Sequence, residues 1–352
     1  MKRLLIILGN GFTIDFINKI SKNDKVDVKN LFRFGHAVNL PFDKRPGFLS
    51  YKNCPNLWTL GARPNKEDEE SQALIEEILT CTNMFFDFIN EADQKSKRLS
   101  LEEPENQSIY IRAYSELVVY LKNLFTYYDT CISNDEIDKF VNSSEIRWGW
   151  KDLFKNLVVD NYERITFVTY NYDIWLERIL NILGIEYEIC GLESKPEVKV
   201  NIIKPHGSIN FIPKTDSGDK FKINYRMNFD GIEISQLKLE SDFINYTRSA
   251  IIPPAGDSSR MQTSSWASKL RLDAKNEVKK ITDSDEVIIC GMSYWHVDRK
   301  ELDEILINLN QNANITFINP NPSKDLNAVL VSLFENYVLL TSSDALGGIL
   351  ND

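Results

Sequence analysis

The chain has 352 residues and a formal net charge of −10, with 43% hydrophobic and 26% charged residues. These values are typical of a globular protein and exclude a disordered or fibrous one. The length accommodates one large α/β domain or two smaller ones. An acidic chain without a basic cluster is a poor candidate for direct nucleic-acid binding. The sequence also lacks the roughly 20-residue apolar stretch of a membrane-spanning helix, so we expect a cytoplasmic protein without a membrane partner.

Apolar runs bounded by turn residues predict the β-strands. They lie at residues 4–8 (LLIIL), 165–169 (ITFVT), 202–203, 286–290 (EVIIC), 314–318 (NITFI) and 337–340 (YVLL). Because the runs are apolar without alternation, both faces of each strand should be covered, as in a parallel sheet. Helical periodicity follows two of the strands, at residues 173–183 and 297–309. The alternation predicts an α/β fold with a Rossmann-like doubly wound parallel sheet.

The middle of the chain has a different pattern. Residues 66–154 contain helical periodicity without a strand candidate, and the strongest helices are predicted at 73–88 and 110–127. We therefore predict one domain, in which residues 1–65 and 155–352 form the α/β core and residues 66–154 form a helical insertion.

The cysteines argue against disulfide or zinc chemistry. All five are scattered along the chain, and none forms a CxxC pair. This spacing is unlike a disulfide framework or a four-cysteine zinc site, so we expect no metal. Cys290 ends an apolar run and is predicted to be a buried small hydrophobic residue.

The first candidate site follows the first predicted strand, in the sequence GNGFT, which comprises Gly9, Asn10, Gly11, Phe12 and Thr13. Glycines at a strand-to-helix turn allow backbone N–H groups to approach a phosphate, and a threonine hydroxyl adds a donor. The third glycine of the Rossmann fingerprint and the lysine of a P-loop are missing. A simple tight turn with Thr13 as the helix cap is therefore an equal alternative.

Two further polar segments follow predicted strands. Asn171 and Asp173, in TYNYD, stand two residues apart where both side chains can face a crevice at the end of a strand. The alternative is that one of them caps the following helix. His206, in KPHGSIN, lies between a proline and a glycine, a position for an exposed polar group on a constrained loop. It is a candidate general base, although a single histidine is more often structural.

The last candidates are Gly291 and Ser293 in CGMS and Asn319 in FINP, each after a predicted strand. Small residues suit contacts with phosphate or ribose, and Asn319 can bind ribose hydroxyls or equally cap the next helix. These polar turns all lie at strand carboxyl ends of one predicted sheet. Dinucleotides bind at that edge in open α/β sheets.

The ordered set GNGFT, TYNYD, KPHGSIN, PPA, CGMS and FINP resembles the NAD-binding core of the sirtuin-like family. It is most similar to the bacterial sirtuin-like domains that hydrolyse NAD in antiphage defence, and the opening LLIILGNGF also resembles the abortive-infection AbiH family. The resemblance covers about residues 1–40 and 160–340 and leaves out the helical insertion. The paired CxxC zinc module and the GIPDFR string of protein-deacylating sirtuins are missing here, which puts deacylase activity in doubt and fits hydrolysis of NAD itself.

The resemblance implies a role for each candidate residue. Asn171 would hold the nicotinamide ribose and orient the attacking water, and His206 would be the catalytic base. Asp173 would lie near the nicotinamide amide. The remaining residues would bind the phosphates and the adenosine side of NAD: Gly9, Asn10, Gly11, Thr13, Gly291, Ser293 and Asn319.

These roles predict a zinc-independent NAD glycohydrolase that cleaves NAD, as its substrate, to nicotinamide and ADP-ribose. The resemblance further implies an effector of antiphage defence by abortive infection. A separate regulatory or sensor subunit would activate it, in a homo- or hetero-oligomer. Two alternatives use the same residues: a non-catalytic module that senses NAD or an ADP-ribose signal, and an ADP-ribosyl cyclase or transferase.

Overall fold

A computed structural model of the chain describes residues 2–40, 45–91, 108–157, 162–216, 223, 225, 232–253, 265–294 and 299–346. The chain divides into two compact units. The first comprises Met1–Asn23, Ile132–Pro205 and Leu270–Asp352, and the second comprises Asp24–Cys131 and His206–Lys269.

The first unit contains a seven-stranded parallel sheet. Its strands are β1 (Lys2–Leu8), β2 (Tyr162–Thr169), β3 (Tyr187–Ile189), β4 (Val200–Ile203), β7 (Glu286–Cys290), β8 (Asn314–Ile318) and β9 (Asn336–Leu340), and the second unit holds β5 (Phe211–Pro213) and β6 (Leu237–Leu239). The order in the large sheet is β3-β4-β2-β1-β7-β8-β9. All of its pairings are parallel, which confirms the predicted doubly wound α/β fold.

The helices flank the strands in sequence, as the alternating pattern predicts. They are α1 (Asn10–Lys19), α2 (Pro55–Thr59), α3 (Asp68–Glu91), α4 (Ile109–Thr130), α5 (Asn134–Asn142), α6 (Gly149–Asn156), α7 (Trp175–Ile182), α8 (Ser265–Val278), α9 (Arg299–Leu306) and α10 (Lys324–Leu333). The predicted helix at 297–309 corresponds to α9, and its first two residues lie outside the described part. None of the described helices is long and apolar enough to cross a membrane.

The register of the sheet brings the strand ends level with one another. Leu8 at the end of β1 pairs with Thr169 of β2 on one side and with Cys290 of β7 on the other. Cys290 in turn pairs with Ile318 of β8. The turns after β1, β2, β7 and β8 therefore leave the same edge, and the strand order reverses between β1 and β7. Crevices for ligands form at this place in open α/β sheets.

Aromatic packing fixes the rotation of α1. The ring of Phe12 lies 5.2 Å from that of Trp150, and the ring of Phe16 lies 5.8 Å from that of Trp148. The indole nitrogen of Trp148 also donates to Asp15 on the same helix, at 2.8 Å. Because these contacts hold one face of α1, the side chain of Thr13 is buried, with 1% of its surface exposed.

The second unit is built on α2, α3 and α4 with the two-stranded antiparallel pair β5–β6. Buried Glu116 of α4 accepts hydrogen bonds from the backbone N–H groups of Asn56 and Leu57, which begin α2. The described secondary structure within residues 66–154 is entirely helical, as predicted. Two of these helices, α5 and α6, belong to the first unit. The single domain with a helical insertion at residues 66–154 remains a prediction, and residues 92–107 of that insertion lie outside the described part.

Candidate functional site

The turns after β1 and β7 are in direct backbone contact. Gly9 N–H donates to the carbonyl of Cys290 at 2.9 Å, and Gly11 N–H donates to the carbonyl of Gly291 at 3.2 Å. A Cβ atom on Gly11 would lie 2.2 Å from the Cα of Gly291, a distance that no side chain can occupy. The two turns can therefore approach this closely only with glycine at both positions.

The close contact between the two turns explains Gly9 and Gly11 without a phosphate. In a phosphate-binding turn the N–H groups point at the ligand, whereas those of Gly9 and Gly11 already donate to β7 and its turn. Phosphate binding by this turn thus remains a prediction. The alternative role of Thr13 as helix cap is wrong, because Gly9 occupies the N-cap and the helix has no side-chain cap.

A chain of hydrogen bonds links three predicted site residues. The amide nitrogen of Asn171 donates to the carbonyl of Gly9 and to the hydroxyl of Thr13, both at 3.1 Å. The Thr13 hydroxyl donates to the Asp173 carboxylate at 2.8 Å. Asn171 and Asp173 are each 4% exposed, so the whole chain is buried. The structure thus brings together the turn after β1 and the turn after β2, as their place in the sheet predicts.

Among the three side chains of this hydrogen-bonded network, the Asn171 amide oxygen lacks a partner. The amide oxygen of Asn171 is buried and accepts no hydrogen bond within the described part of the protein. A buried acceptor without a donor costs about 1–3 kcal/mol. Other buried side-chain atoms of the described part are in the same condition, among them the amide oxygens of Asn83, Asn201 and Asn210, but that of Asn171 lies at the carboxyl edge of the sheet. The oxygen is suited to a ligand that supplies a hydroxyl or another N–H or O–H donor.

Asp173 serves the fold as well as the chain of hydrogen bonds. Its second carboxylate oxygen accepts from the backbone N–H of Trp175 at 3.3 Å, at the start of α7. The alternative that Asn171 or Asp173 is the N-cap is nevertheless wrong, because Ile174 occupies that position and α7 has no side-chain cap. Burial raises the pKa of Asp173 to about 6, whereas the Lys204 ammonium and the Thr13 hydroxyl oppose that rise.

Sequence reasoning missed the buried ion pair of Lys204 and Glu177. The Lys204 ammonium donates to the backbone carbonyl of Asp173 at 2.6 Å and to Glu177 at 2.7 Å. The Lys204 side chain is fully buried, and the Glu177 side chain is 7% exposed. A lysine directly after the apolar pair Ile202 and Ile203 was the available signal, because a charge next to a buried strand needs a partner.

His206 belongs to the second unit. It is 3% exposed, so the expectation of an exposed group is wrong. The backbone explains the burial: the His206 carbonyl accepts from Ile252 N–H at 3.0 Å, and Ser208 N–H donates to Ala250 at 3.1 Å. Gly207 has a φ of +79°, and a Cβ there would lie 1.8 Å from the Ala250 carbonyl oxygen. The loop is constrained as predicted, and the role of His206 as base remains a prediction.

The other predicted ligands are more open. Asn10 and Ser293 are exposed. The Asn319 side chain accepts from the backbone N–H of Asn321 at 3.0 Å, and Ser323 rather than Asn319 caps α10. The alternative that Asn319 is a helix cap is therefore wrong. Of the PPA motif, only Pro253 lies within the described residues.

The chain matches no protein-family model. Comparison with curated proteins likewise gives no significant match.

Cys290, as predicted from its apolar run, is buried, and burial raises the pKa of its thiol. The chemistry of the candidate site therefore has to be argued from the residues at the carboxyl edge of the sheet.

Proposed function

We propose that the chain is an NAD glycohydrolase that releases nicotinamide and ADP-ribose. The supporting observation is the buried Asn171 amide, whose oxygen lacks a partner among the described residues at the carboxyl edge of a parallel sheet. The edge and the point of strand reversal are those at which nucleotides bind in such folds. The resemblance to sirtuin-like NAD hydrolases is the second support.

The proposed chemistry needs few groups. Water adds to the ribose carbon as the bond to nicotinamide breaks, nicotinamide leaves as a neutral molecule, and one proton is released. Positive charge grows on the ribose ring during this step, and an uncharged amide such as Asn171 can position water or a hydroxyl without adding a charge beside the ring. His206 would accept the proton, as the resemblance implies. The pyridinium of NAD is already a good leaving group, so the mechanism needs no metal.

The wider role follows from the same resemblance. We propose a cytoplasmic effector of antiphage defence that depletes NAD after activation by a separate protein subunit. Such control is expected because an enzyme that hydrolyses NAD continuously would be toxic to its own cell.

The test is chromatography of NAD incubated with the purified protein. We expect nicotinamide release by the wild type and at least a hundredfold slower release by Asn171→Ala and by His206→Ala. Asn142→Ala is the matched control, since Asn142 is exposed at the end of α5 and its side chain bonds only to Asp138 among the contacts described. Because a partner is expected, the assay is repeated with the products of neighbouring genes.

The co-product separates the alternatives. Linear ADP-ribose supports the hydrolase, whereas a cyclic product or a modified protein would replace it with the cyclase or transferase. NAD binding without turnover in every mixture would make the chain a sensor module. Turnover that is equal in Asn171→Ala and the wild type would contradict the site.

A further inference from the structure

The orientation of the Asn171 amide follows from its neighbours. A backbone carbonyl can only accept a hydrogen bond, so the atom that faces the Gly9 carbonyl at 3.1 Å must be the amide nitrogen. The Thr13 hydroxyl has a single proton, and that proton goes to the Asp173 carboxylate at 2.8 Å. The hydroxyl oxygen therefore accepts from Asn171, at 3.1 Å. Both neighbours therefore accept from the amide nitrogen, and the amide oxygen bonds to neither of them.

The chain of bonds also has a fixed direction. An ionised carboxylate only accepts, and Asp173 accepts at both oxygens, from Thr13 and from the backbone of Trp175. Burial raises the pKa of Asp173 to about 6, and the Lys204 ammonium, which donates to the Asp173 backbone carbonyl, opposes that rise, so the carboxylate is ionised above this pH. Protons thus point from Asn171 through Thr13 to Asp173, and a reversal would need a protonated Asp173.

We propose that Thr13 is a positioning residue that, anchored by Asp173, keeps the oxygen of the Asn171 amide available to accept a hydrogen bond from a substrate hydroxyl. Thr13 acts through Asn171 in this arrangement, rather than by donating its hydroxyl to a phosphate. The orientation stands on the geometry alone. The identity of the hydroxyl as one from the nicotinamide ribose rests on the proposed function.

The first experiment reads the orientation without a ligand. Protein labelled with ¹⁵N at asparagine gives side-chain amide signals, and the Asn171→Ala variant identifies those of Asn171. We expect both Asn171 protons to exchange with water at least tenfold more slowly than those of exposed Asn142, because both are donated inside the protein. In Thr13→Val one of the two should exchange several-fold faster, and Thr13→Ser should restore the slow rate.

Two results would overturn the positioning role. One is wild-type exchange at Asn171 as fast as at Asn142, and the other is exchange that Thr13→Val leaves unchanged. The dispersion of the remaining asparagine signals reports whether Thr13→Val is folded. If it is not, Asp173→Asn provides the comparison. An amide at position 173 can donate to Thr13 and so release the Thr13 proton, and the Asn171 signals should then shift.

The second experiment identifies the hydroxyl by calorimetry. NAD is compared with analogues that lack the 2′- or the 3′-hydroxyl of the nicotinamide ribose. We expect the wild type and Thr13→Ser to bind one analogue about tenfold more weakly than NAD, as for one lost hydrogen bond. Asn171→Ala should bind that analogue and NAD equally.

The outcomes separate the two proposals. Equal wild-type affinity for NAD and both analogues overturns the acceptor role of Asn171, while turnover still supports the hydrolase. No binding of NAD in any mixture overturns the proposed function and the ribose assignment. The exchange rates then still decide whether Thr13 orients Asn171.

Discussion

The turns after β1 and after β2 leave the same edge of the sheet but are held in different ways. The first is fixed by backbone contact, in which Gly9 and Gly11 donate to the carbonyls of Cys290 and Gly291. The second has one backbone bond, from Tyr170 N–H to the Leu8 carbonyl at 3.0 Å, and is otherwise fixed by side chains, and the amide oxygen of Asn171 remains without a donor in the described structure. The close backbone contact is thus by itself a sufficient reason for the glycines of the first turn, without a ligand. Of these two turns, only the second offers a ligand a buried side-chain acceptor that the described residues leave unmatched.

Lys204→Met, next to the turn after β2, should lower the stability of the protein most. The substitution leaves the Glu177 carboxylate buried without its cation, so the free energy of unfolding should fall by about 3–5 kcal/mol. Urea unfolding measures the loss. Adding Glu177→Leu removes the stranded charge and should recover most of it. A double variant no more stable than Lys204→Met would show that the ion pair does not anchor this turn.

The backbone-held turn is tested by Gly11→Ala. A methyl group there would overlap the Cα of Gly291 at 2.2 Å, so the two turns must separate, at a cost of about 3 kcal/mol in urea unfolding. Gly184→Ala is the matched control in the same unit: its φ is +70°, but no atom lies within 4 Å of the added methyl group. We expect a loss of about 1 kcal/mol there. Equal losses would count against the close contact as the reason for glycine.

The raised pKa of Asp173, in the turn after β2, should make the stability of the protein depend on pH. Burial raises its folded pKa to about 6, against roughly 4 in the unfolded chain, with Lys204 and Glu177 as the charged neighbours. The folded state therefore holds the extra proton between these values, and stability falls as the pH rises from about 4 to 6. Relative to Asp173→Asn, which does not titrate, the wild type should lose about 2–3 kcal/mol over this range. Parallel stability profiles of the two proteins would contradict the raised pKa.

The outer part of the same edge should respond least. Asn319→Ala removes one hydrogen bond, to the backbone N–H of Asn321, at a half-exposed position. We expect a loss of about 0.5–1 kcal/mol in urea unfolding. A loss above about 2 kcal/mol would place Asn319 in the buried network instead.

Much of the fold was predictable because its strands are buried on both faces. The runs EVIIC and NITFI match β7 and β8 residue for residue, since the apolar run and the strand end at the same turn. The three-residue strands β3, β5 and β6 were missed, because such short segments carry too little pattern. The division into units was also beyond the sequence, because it depends on contacts between residues far apart in the chain.

The site was predictable in position but not in bonding. The motifs GNGFT and TYNYD could be placed at one sheet edge, since the ends of parallel strands meet there. The direction of the Thr13 hydrogen bond could not be predicted, because a threonine hydroxyl can donate to a phosphate or to a carboxylate equally well. The partner of Lys204 was likewise unknown, because Glu177 lies 27 residues away along the chain.

The contact between Gly11 and Gly291 limits how the protein can change by mutation. A clash in a protein core is often relieved by a second substitution to a smaller residue, but here both positions already hold the smallest one. Gly291 also has a φ of +62°, which side chains other than glycine adopt only with strain. No compensating change exists at either position, so the chain must repair a mutation at one glycine by moving the backbone of β1 or β7.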